Sequence, residues 1–264
     1  MNFDKMKVSD IKNFLNSMKN IEDENFGEIL NQLENDQRTS VKKLAIKFRN
    51  RLNVIKQNEL MIEEFYNFDR EYILNNHYII AGCDEVGRGP LAGPIVCASV
   101  VLDLYNQDKI IRNINDSKKI KSRELKKELS EIIKERALYF KIVEISNNEI
   151  DRIGIGVANQ KGLKDSVEGI GINIDMVLSD GYLVKDLNTK NISVIKGDTK
   201  SASIMCASII AKVYRDELMI KYHEEYPQYD FLNNVGYGTK FHVNAIKKYG
   251  FCKYHRRSFL NNYI

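Results

Sequence analysis

The sequence predicts an α/β protein: a mixed five-stranded sheet flanked by helices and preceded by a small all-α extension. Apolar residues are spaced as in helices through the first 72 positions, and strand and helix patterns alternate from about residue 78 onward. The chain of 264 residues is 43% apolar, which suffices for a sizeable core. We therefore divide it into a helical N-terminal extension, residues 1–72, and a larger domain, residues 73–264, that ends in a helical and basic segment.

The N-terminal extension is rich in Lys, Glu and Asn and contains no proline. Its apolar residues recur at helical spacing, as at Ile11, Phe14 and Leu15, so we predict two or three amphipathic helices. Between Arg38 and Lys56 the chain carries seven basic residues and no acidic one. Such a stretch suits either contact with phosphates or a solvated helix face, and the sequence leaves both open.

The larger domain is predicted to alternate between strands and helices. Strands are expected near residues 78–83, 95–102, 138–145, 175–180 and 192–196, and helices near 122–136, 148–170, 201–223 and 239–249. The first three strands are close enough in sequence to form a meander, whereas helices separate the last two. A sheet that combines both kinds of connection contains antiparallel and parallel pairs.

Composition excludes several classes of protein. With 29% charged residues and no apolar stretch of about 18, a membrane span is not expected. The polar N-terminus does not resemble a secretory signal, which predicts a cytoplasmic protein. Cys83, Cys97, Cys206 and Cys252 lack CxxC spacing, so we expect buried reduced thiols rather than a zinc site or disulfides. The net charge of +4 is too small to indicate a nucleic-acid partner by itself.

The most informative segment is an apolar run that ends in two adjacent acids. Asp84 and Glu85 follow the predicted strand and precede a turn rich in glycine and proline, residues 87–94. Neighbouring carboxylates repel each other, so the pair is costly unless a cation lies between them. The segment therefore predicts a metal site.

Two further acids follow apolar runs. Asp180 ends one predicted strand, and Asp198 lies between another strand and a helix. Ligands gather at the carboxyl ends of strands in open α/β sheets, and oxygen ligands suit Mg²⁺ or Mn²⁺. Taken singly, Asp198 would equally suit the N-cap of a helix beginning at Lys200, and Asp180 a turn before Gly181.

These segments and several others, in order, resemble the ribonuclease HII family, the prokaryotic type 2 ribonucleases H. The additional segments are Asp116-Ser117-Lys118-Lys119, Lys196-Gly197-Asp198-Thr199-Lys200-Ser201, Ala207-Ser208 through Arg215-Asp216, Gly236-Tyr237-Gly238-Thr239-Lys240-Phe241-His242 and His255-Arg256-Arg257-Ser258-Phe259. The resemblance covers roughly residues 77–259 and implies a ribonuclease-H-like fold. Some bacterial members carry a similar N-terminal helical extension.

The resemblance also implies a function and a set of site residues. It assigns Asp84, Glu85, Asp180 and Asp198 as catalytic metal ligands, with Mg²⁺ or Mn²⁺ in a two-metal site when substrate is bound. The implied substrates are RNA/DNA hybrids and duplex DNA with single ribonucleotides, cut on their 5′ side to leave 3′-hydroxyl and 5′-phosphate ends. A monomer that removes ribonucleotides from DNA, with no membrane partner, is expected.

Substrate contacts are implied for a second group of residues. The main chain of Gly87, Arg88 and Gly89 would hydrogen-bond the ribose 2′-hydroxyl, and Tyr237 would pack against the sugar at the RNA-to-DNA step. Phosphate contacts are expected from Ser117, Lys118, Lys200 and Ser201. A basic C-terminal surface would add affinity or merely solubility: Lys240, Lys247, Lys248, Lys253, Arg256 and Arg257.

Three other functions fit the sequence less well, and so does a catalytic role for two histidines. The Gly87–Gly93 turn imitates a dinucleotide-binding GxGxxG motif, but it has one residue too many and a proline, and the acids before it would repel a pyrophosphate. Ribonuclease HIII usually has an acid where Pro90-Leu91 stand here. A binding module without activity would be expected to lose one of the four acids. His242 and His255, on a predicted helix and in a basic tail, are not expected to act as general acids or bases.

Overall fold

The computed structural model describes residues 3–17, 24–74, 78–112, 114 and 122–260. The chain forms two compact units, Met1–Met61 and Ile62–Ile264. The division falls inside a long helix, and the boundary that we predicted at residue 72 lies just beyond the end of that helix. No helix among the described residues is long and apolar enough to cross a bilayer.

The first unit is helical and has its own core. It contains α1 (Val8–Ser17), α2 (Glu24–Glu34) and most of α3 (Thr39–Arg70), which confirms the predicted helical extension. Arg38 and Arg49, both from the basic stretch, hold this unit together. Arg38 bonds the Asp36 carboxylate and two main-chain carbonyls, and Arg49 pairs with Glu34 at 2.5 Å.

The second unit contains a five-stranded mixed sheet, as predicted. Its strands are β1 (Ile80–Val86), β2 (Ile95–Val101), β3 (Tyr139–Ile145), β4 (Met176–Asp180) and β5 (Lys190–Val194), in the spatial order β3-β2-β1-β4-β5. The pairs β1–β2 and β2–β3 are antiparallel, whereas β1–β4 and β4–β5 are parallel. The meander and the parallel pairs meet at β1, which therefore lies at the centre of the sheet.

Helices cover the sheet and extend beyond it. They are α4 (Arg123–Arg136), α5 (Asn147–Ile153), α6 (Ile155–Glu168), α7 (Ala202–Glu225), α8 (Phe231–Asn234) and α9 (Lys240–Tyr249). The single helix predicted over residues 148–170 is wrong, because Gly154 adopts φ 80° and separates α5 from α6. The fifth strand also ends earlier than predicted, since Lys196 takes a left-handed conformation and leads into a 3₁₀ turn, Gly197–Thr199.

Close packing against β1 fixes the start of α7. It thereby also positions the 3₁₀ turn between β5 and α7. A side chain at Gly82 in β1 would collide with the main chain of Ser203 and Ile204 at the start of α7. The glycine thus allows the helix to approach the strand that carries Asp84. All four cysteines are buried and unpaired, as predicted.

Candidate active site

The four predicted acids and Tyr237 line one cavity at the carboxyl ends of β1 and β4. The cavity has a volume of about 260 Å³ and is lined by Asp84, Glu85, Val86, Lys126, Asp180, Asp198, Ser208, Lys212 and Tyr237. Residues that are separated by more than 150 positions in sequence thus share one small space. The cavity is the candidate active site.

The register of the sheet brings Asp84 and Asp180 together. Parallel pairing aligns Cys83 with Ser179, so Asp84 and Asp180, one residue further along each strand, leave the sheet side by side. The Asp180 Oδ1 atom accepts a hydrogen bond of 2.7 Å from the Gly197 amide. This bond ties the end of β4 to the 3₁₀ turn that carries Asp198.

Burial and mutual repulsion dominate the electrostatics of the acids. Burial, followed by the charges of Glu85 and Asp180, raises the pKa of Asp84 well above its usual range, although a hydrogen bond with Ser208 opposes the shift. Burial also raises the pKa of Glu85, and the Arg88 charge only partly offsets it. Arg88 Nη1 lies 3.4 Å from Glu85 Oε1, which is a weak contact. A nearby cation would stabilise the ionised forms of both acids.

The donor set fits a hard divalent cation. The acidic side chains offer only carboxylate oxygens, which Mg²⁺ and Mn²⁺ prefer. Glu85 Oε2 is buried and has no hydrogen-bond partner in the described part of the chain, so it retains an unused acceptor. Among the described residues, no group of three or more His, Cys, Asp or Glu side chains is arranged so that it could hold a metal ion by itself. In general, Mg²⁺ binds one or two carboxylates and completes its shell with water and substrate phosphate.

Asp198, in the 3₁₀ turn, and Ser201, at the start of α7, have different roles. Asp198 is 5% exposed and lines the cavity, whereas the N-cap of α7 is Ser201, whose hydroxyl accepts a hydrogen bond from the Ile204 amide. The capping interpretation of Asp198 is therefore wrong. The substrate contact predicted for Ser201 is also wrong, because its side chain is fully buried and its hydroxyl is bonded within the protein.

None of the other residues predicted to contact phosphate is seen to line the cavity within the described ranges. Lys200 is exposed but does not line the cavity. Ser117 and Lys118 lie outside the described residues, so their predicted roles stay predictions.

The two segments predicted to contact the ribose, Gly87–Gly89 and Tyr237, lie next to each other. Gly87 adopts φ 94° in the turn after β1, and a Cβ atom built on Gly89 would lie 3.7 Å from the Tyr237 ring. Tyr237 is 45% exposed and thus accessible from the cavity. The Tyr237 ring, which lines the cavity, therefore lies next to the Gly89 main chain.

Four cavity residues were not predicted from the sequence: Val86, Lys126, Ser208 and Lys212. Ser208 and Lys212 lie one helical turn apart on α7, so their spacing in the motif could have indicated a shared face. Lys212 Nζ lies 2.6 Å from Asp216. Lys126 comes from α4, and no local pattern distinguishes it from other lysines of that helix. Both lysines add positive charge beside the acids.

His242 and His255 form a buried pair outside the cavity. Their Nε2 atoms lie 3.0 Å apart, His242 Nδ1 contacts the Tyr237 carbonyl at 2.8 Å, and the Cys252 amide donates to His255 Nδ1 at 2.9 Å. The contacts are consistent if each imidazole is neutral, with protons on His242 Nδ1 and His255 Nε2. Burial lowers the pKa of both rings, that of His255 to about 4. The pair supports the Tyr237 segment and does not line the cavity.

Replacing Asp198 with asparagine should lower turnover or raise the Mg²⁺ concentration needed for half-maximal rate. The substitution keeps the shape of the side chain but removes its charge from the cavity. A Mg²⁺ titration of the cleavage rate measures this effect. Normal turnover at low Mg²⁺ would show that Asp198 has no part in metal binding.

Asp69, near the end of α3, anchors the start of α7. It is fully buried, and its two oxygens accept hydrogen bonds of 2.5 Å from the Ser201 hydroxyl and 2.8 Å from the Ser203 amide. Burial raises the pKa of this carboxyl group from 3.8 to about 6, although both hydrogen bonds oppose the shift. The folded protein therefore binds this proton more tightly than the unfolded chain does.

The Asp69 contribution to the free energy of unfolding should decrease as pH rises from about 4 to about 6. The difference between a pKa of about 6 and one of 3.8 corresponds to roughly 3 kcal/mol. Asp69→Asn cannot ionise, so its stability relative to the wild type should increase over this interval and stay constant above it. Urea unfolding at pH 4, 5, 6 and 7 measures the difference, and a pH-independent difference would contradict the assignment.

Comparisons with known proteins match both parts of the chain. The family model described as Ribonuclease HII matches residues 81–262, and the Ribonuclease HII N-terminal domain model matches residues 7–73. A protein named Ribonuclease HII from Clostridium perfringens (strain SM101 / Type A) is 52% identical over 237 residues, covering 90% of this chain and 86% of the relative.

Solved structures with the same fold are more distant in sequence. The ribonuclease H2 of Pyrococcus horikoshii OT3 matches with a TM-score of 0.59 at 23% identity, over 68% of this chain and 93% of the other. The structure of Bst-RNase HIII in complex with Mn²⁺ matches with a TM-score of 0.53 at 20% identity, over 66% of this chain and 63% of the other.

Proposed function

The chain belongs to the ribonuclease HII family, a group of type 2 ribonuclease H hydrolases, and we propose that it cleaves RNA/DNA hybrids and also cuts 5′ to single ribonucleotides in duplex DNA. The products would carry 3′-hydroxyl and 5′-phosphate ends. The observation that carries the proposal is the cavity in which four acids lie beside Tyr237. This arrangement combines a hydrolytic centre with a group able to contact the sugar.

Divalent metal ions, Mg²⁺ or Mn²⁺, are the proposed cofactors. Asp84, Glu85, Asp180 and Asp198 would hold them, and the buried, partnerless Oε2 atom of Glu85 supports this assignment. When bound there, two divalent ions would supply an activated water and stabilise the departing 3′ oxygen. The solved ribonuclease HIII neighbour contains Mn²⁺, which is compatible with the same preference here.

The side chains around the acids would orient the phosphodiester. Lys126 and Lys212 line the cavity together with the carboxylates and offer positive charge to a phosphate oxygen. Main-chain groups of Gly87, Arg88 and Gly89 would bond the ribose 2′-hydroxyl, and the Tyr237 ring would pack on the same sugar. A single site would thus recognise the nucleotide and position its phosphate.

The proposed role is the removal of ribonucleotides from DNA. Duplex DNA with ribonucleotides and RNA/DNA hybrids are the proposed partners, in the cytoplasm, with the protein acting as a monomer. None of these contacts requires a membrane.

A panel of substrates tests the proposed activity. The full chain is incubated with an RNA/DNA hybrid, duplex RNA and duplex DNA of one sequence, each with Mg²⁺, Mn²⁺ or EDTA. We expect cleavage of the RNA strand of the hybrid alone, dependent on the metal. Equal cutting of all-DNA duplex would refute ribose recognition, and full activity in EDTA would refute the metal requirement.

A further inference from the structure

Two fully buried arginines, Arg215 and Arg256, lie behind the turn that follows β1. Both are 0% exposed, and neither forms an ion pair with a carboxylate of the described residues. Their guanidinium groups are instead bonded to main-chain carbonyls. We refer to Arg215 and Arg256 together as the buried arginine pair.

Arg256 holds the glycine turn from one side. Its Nη2 donates to the Gly87 carbonyl at 2.5 Å, its Nη1 to the Arg88 carbonyl at 2.9 Å, and its Nε to the Gly93 carbonyl at 2.8 Å. The Arg256 amide also donates to the Leu91 carbonyl at 2.8 Å. One residue thus engages four carbonyls of the eight-residue turn, residues 87–94.

Arg215 joins the same turn to the segment that carries Tyr237. Its Nε donates to the Pro94 carbonyl at 2.9 Å and its Nη2 to the Ala92 carbonyl at 3.1 Å. Its Nη1 donates to the Val235 carbonyl at 2.9 Å, two residues before Tyr237. The Leu91 amide adds a direct bond of 2.8 Å to the Gly236 carbonyl.

The arrangement has an energetic cost. Burying a cation without a counter-ion is unfavourable, and burial together with the neighbouring Arg215 charge lowers the pKa of Arg256 to about 9. At neutral pH both side chains remain charged. A lysine could not replace either of them, because only the planar guanidinium fork offers several donors in fixed directions.

The orientation of the carbonyls determines what the turn presents to a ligand. In a trans peptide the C=O of one residue and the N–H of the next point in opposite directions. Since the Gly87 and Arg88 carbonyls point to Arg256, the amides of Arg88 and Gly89 point away from it. Gly89 also faces the Tyr237 ring. The buried arginine pair therefore fixes both the direction of the Arg88 and Gly89 amides and their distance from the ring.

We propose that Arg215 and Arg256 are positioning residues that fix the Arg88 and Gly89 amides relative to Tyr237 and thereby determine the selectivity for ribonucleotides. The inference rests on the proposed function, in which these two elements contact the ribose. Neither arginine lines the acidic cavity, so their effect is exerted through the main chain.

The test compares Arg256→Lys and Arg215→Lys with the wild type. Each substitution retains the charge and removes the fork. On a duplex with one ribonucleotide, kcat should fall roughly 10- to 100-fold, because small misplacement of binding groups is enough for such losses. The loss on a long hybrid should be smaller, and the shift of Tm on adding Mn²⁺ should be unchanged. Amide hydrogen exchange in residues 87–94 should become at least about tenfold faster, since the carbonyl bonds that restrain the turn are lost.

Arg152→Lys is the matched control. Arg152 is an exposed arginine of α5 in the same unit, and its kinetics, exchange and Tm should equal those of the wild type. Methylguanidinium added to Arg256→Ala should restore part of the lost rate, whereas methylammonium should not. Wild-type selectivity and wild-type exchange in both lysine variants would overturn the proposal.

Two further outcomes separate this inference from the proposed function. If the wild type does not cut ribonucleotide-containing DNA, the proposed function fails, while the exchange of residues 87–94 still tests the buried arginine pair. If neither lysine variant folds, NMR of the wild type decides the question. Two arginine Nε–H signals protected from solvent exchange are expected for Arg215 and Arg256, and rapid exchange of both would overturn the proposal.

Discussion

Asp84→Asn should reduce cleavage of every substrate by more than about 100-fold and leave binding of the hybrid in place. Losing a group that only supports a metal ligand already costs about 10- to 100-fold, so losing a ligand should cost more. The phosphate contacts proposed for Lys126 and Lys212 do not involve the Asp84 side chain and would survive. Single-turnover cleavage and a binding titration with the same hybrid measure the two effects. Asp180→Asn should show the same loss of cleavage and the same retained binding.

The same variant should be more stable than the wild type in EDTA. Asp84 is buried beside Glu85 and Asp180, and removing its charge relieves their repulsion. Addition of Mg²⁺ or Mn²⁺ should raise the Tm of the wild type and have little effect on the variant.

Asp186→Asn is the matched control for this substitution. Asp186 is exposed and adopts φ 55°, a conformation that asparagine tolerates well, so activity and Tm should not change. An Asp84→Asn protein that turns over at the wild-type rate would remove Asp84 from the active site.

Tyr237→Ala should impair cleavage far more than Tyr237→Phe. If the ring packs on the sugar, phenylalanine retains most of that contact and alanine removes it. Stacking of a base on an aromatic ring is worth about 1 to 3 kcal/mol, which sets an upper range of roughly 5- to 150-fold for a sugar. The loss should be steeper on a lone ribonucleotide than on a long hybrid, because the hybrid offers many alternative registers.

Tyr139→Ala serves as the control for Tyr237→Ala. Tyr139 is 44% exposed, close to the 45% of Tyr237, but lies on β3 and does not line the cavity. Its replacement should leave kcat/KM on both substrates unchanged. Equal and mild losses for both Tyr237 variants on both substrates would show that the ring is only a packing residue and that the glycine turn alone senses the ribose.

The sheet and the acidic cavity could be predicted because their signals are local. The central strands β1, β2 and β4 are largely apolar, and Asp84 and Asp180 stand at the ends of two of these runs. The break at Gly154 was missed because a glycine inside an otherwise helical apolar pattern does not by itself show which φ it adopts.

Long-range contacts explain the remaining differences. Ser201 stands among acids and lysines in sequence, but Asp69 lies 132 positions earlier and binds its hydroxyl in the core. The sequence places Arg256 on a basic C-terminal surface, and that prediction is wrong because the side chain is fully buried and bonds carbonyls more than 160 positions away. No local periodicity reports contacts of this kind.

Cleavage of a DNA duplex that contains one ribonucleotide tests the central claim most directly. The full chain is incubated with this duplex in Mg²⁺, Mn²⁺ or EDTA, and the products are resolved at single-nucleotide resolution with analysis of their ends. We predict one metal-dependent cut on the 5′ side of the ribonucleotide, with 3′-hydroxyl and 5′-phosphate ends, and no cut in the matched all-DNA duplex. A cut on the 3′ side, cleavage in EDTA or equal cutting of the all-DNA duplex would contradict the account.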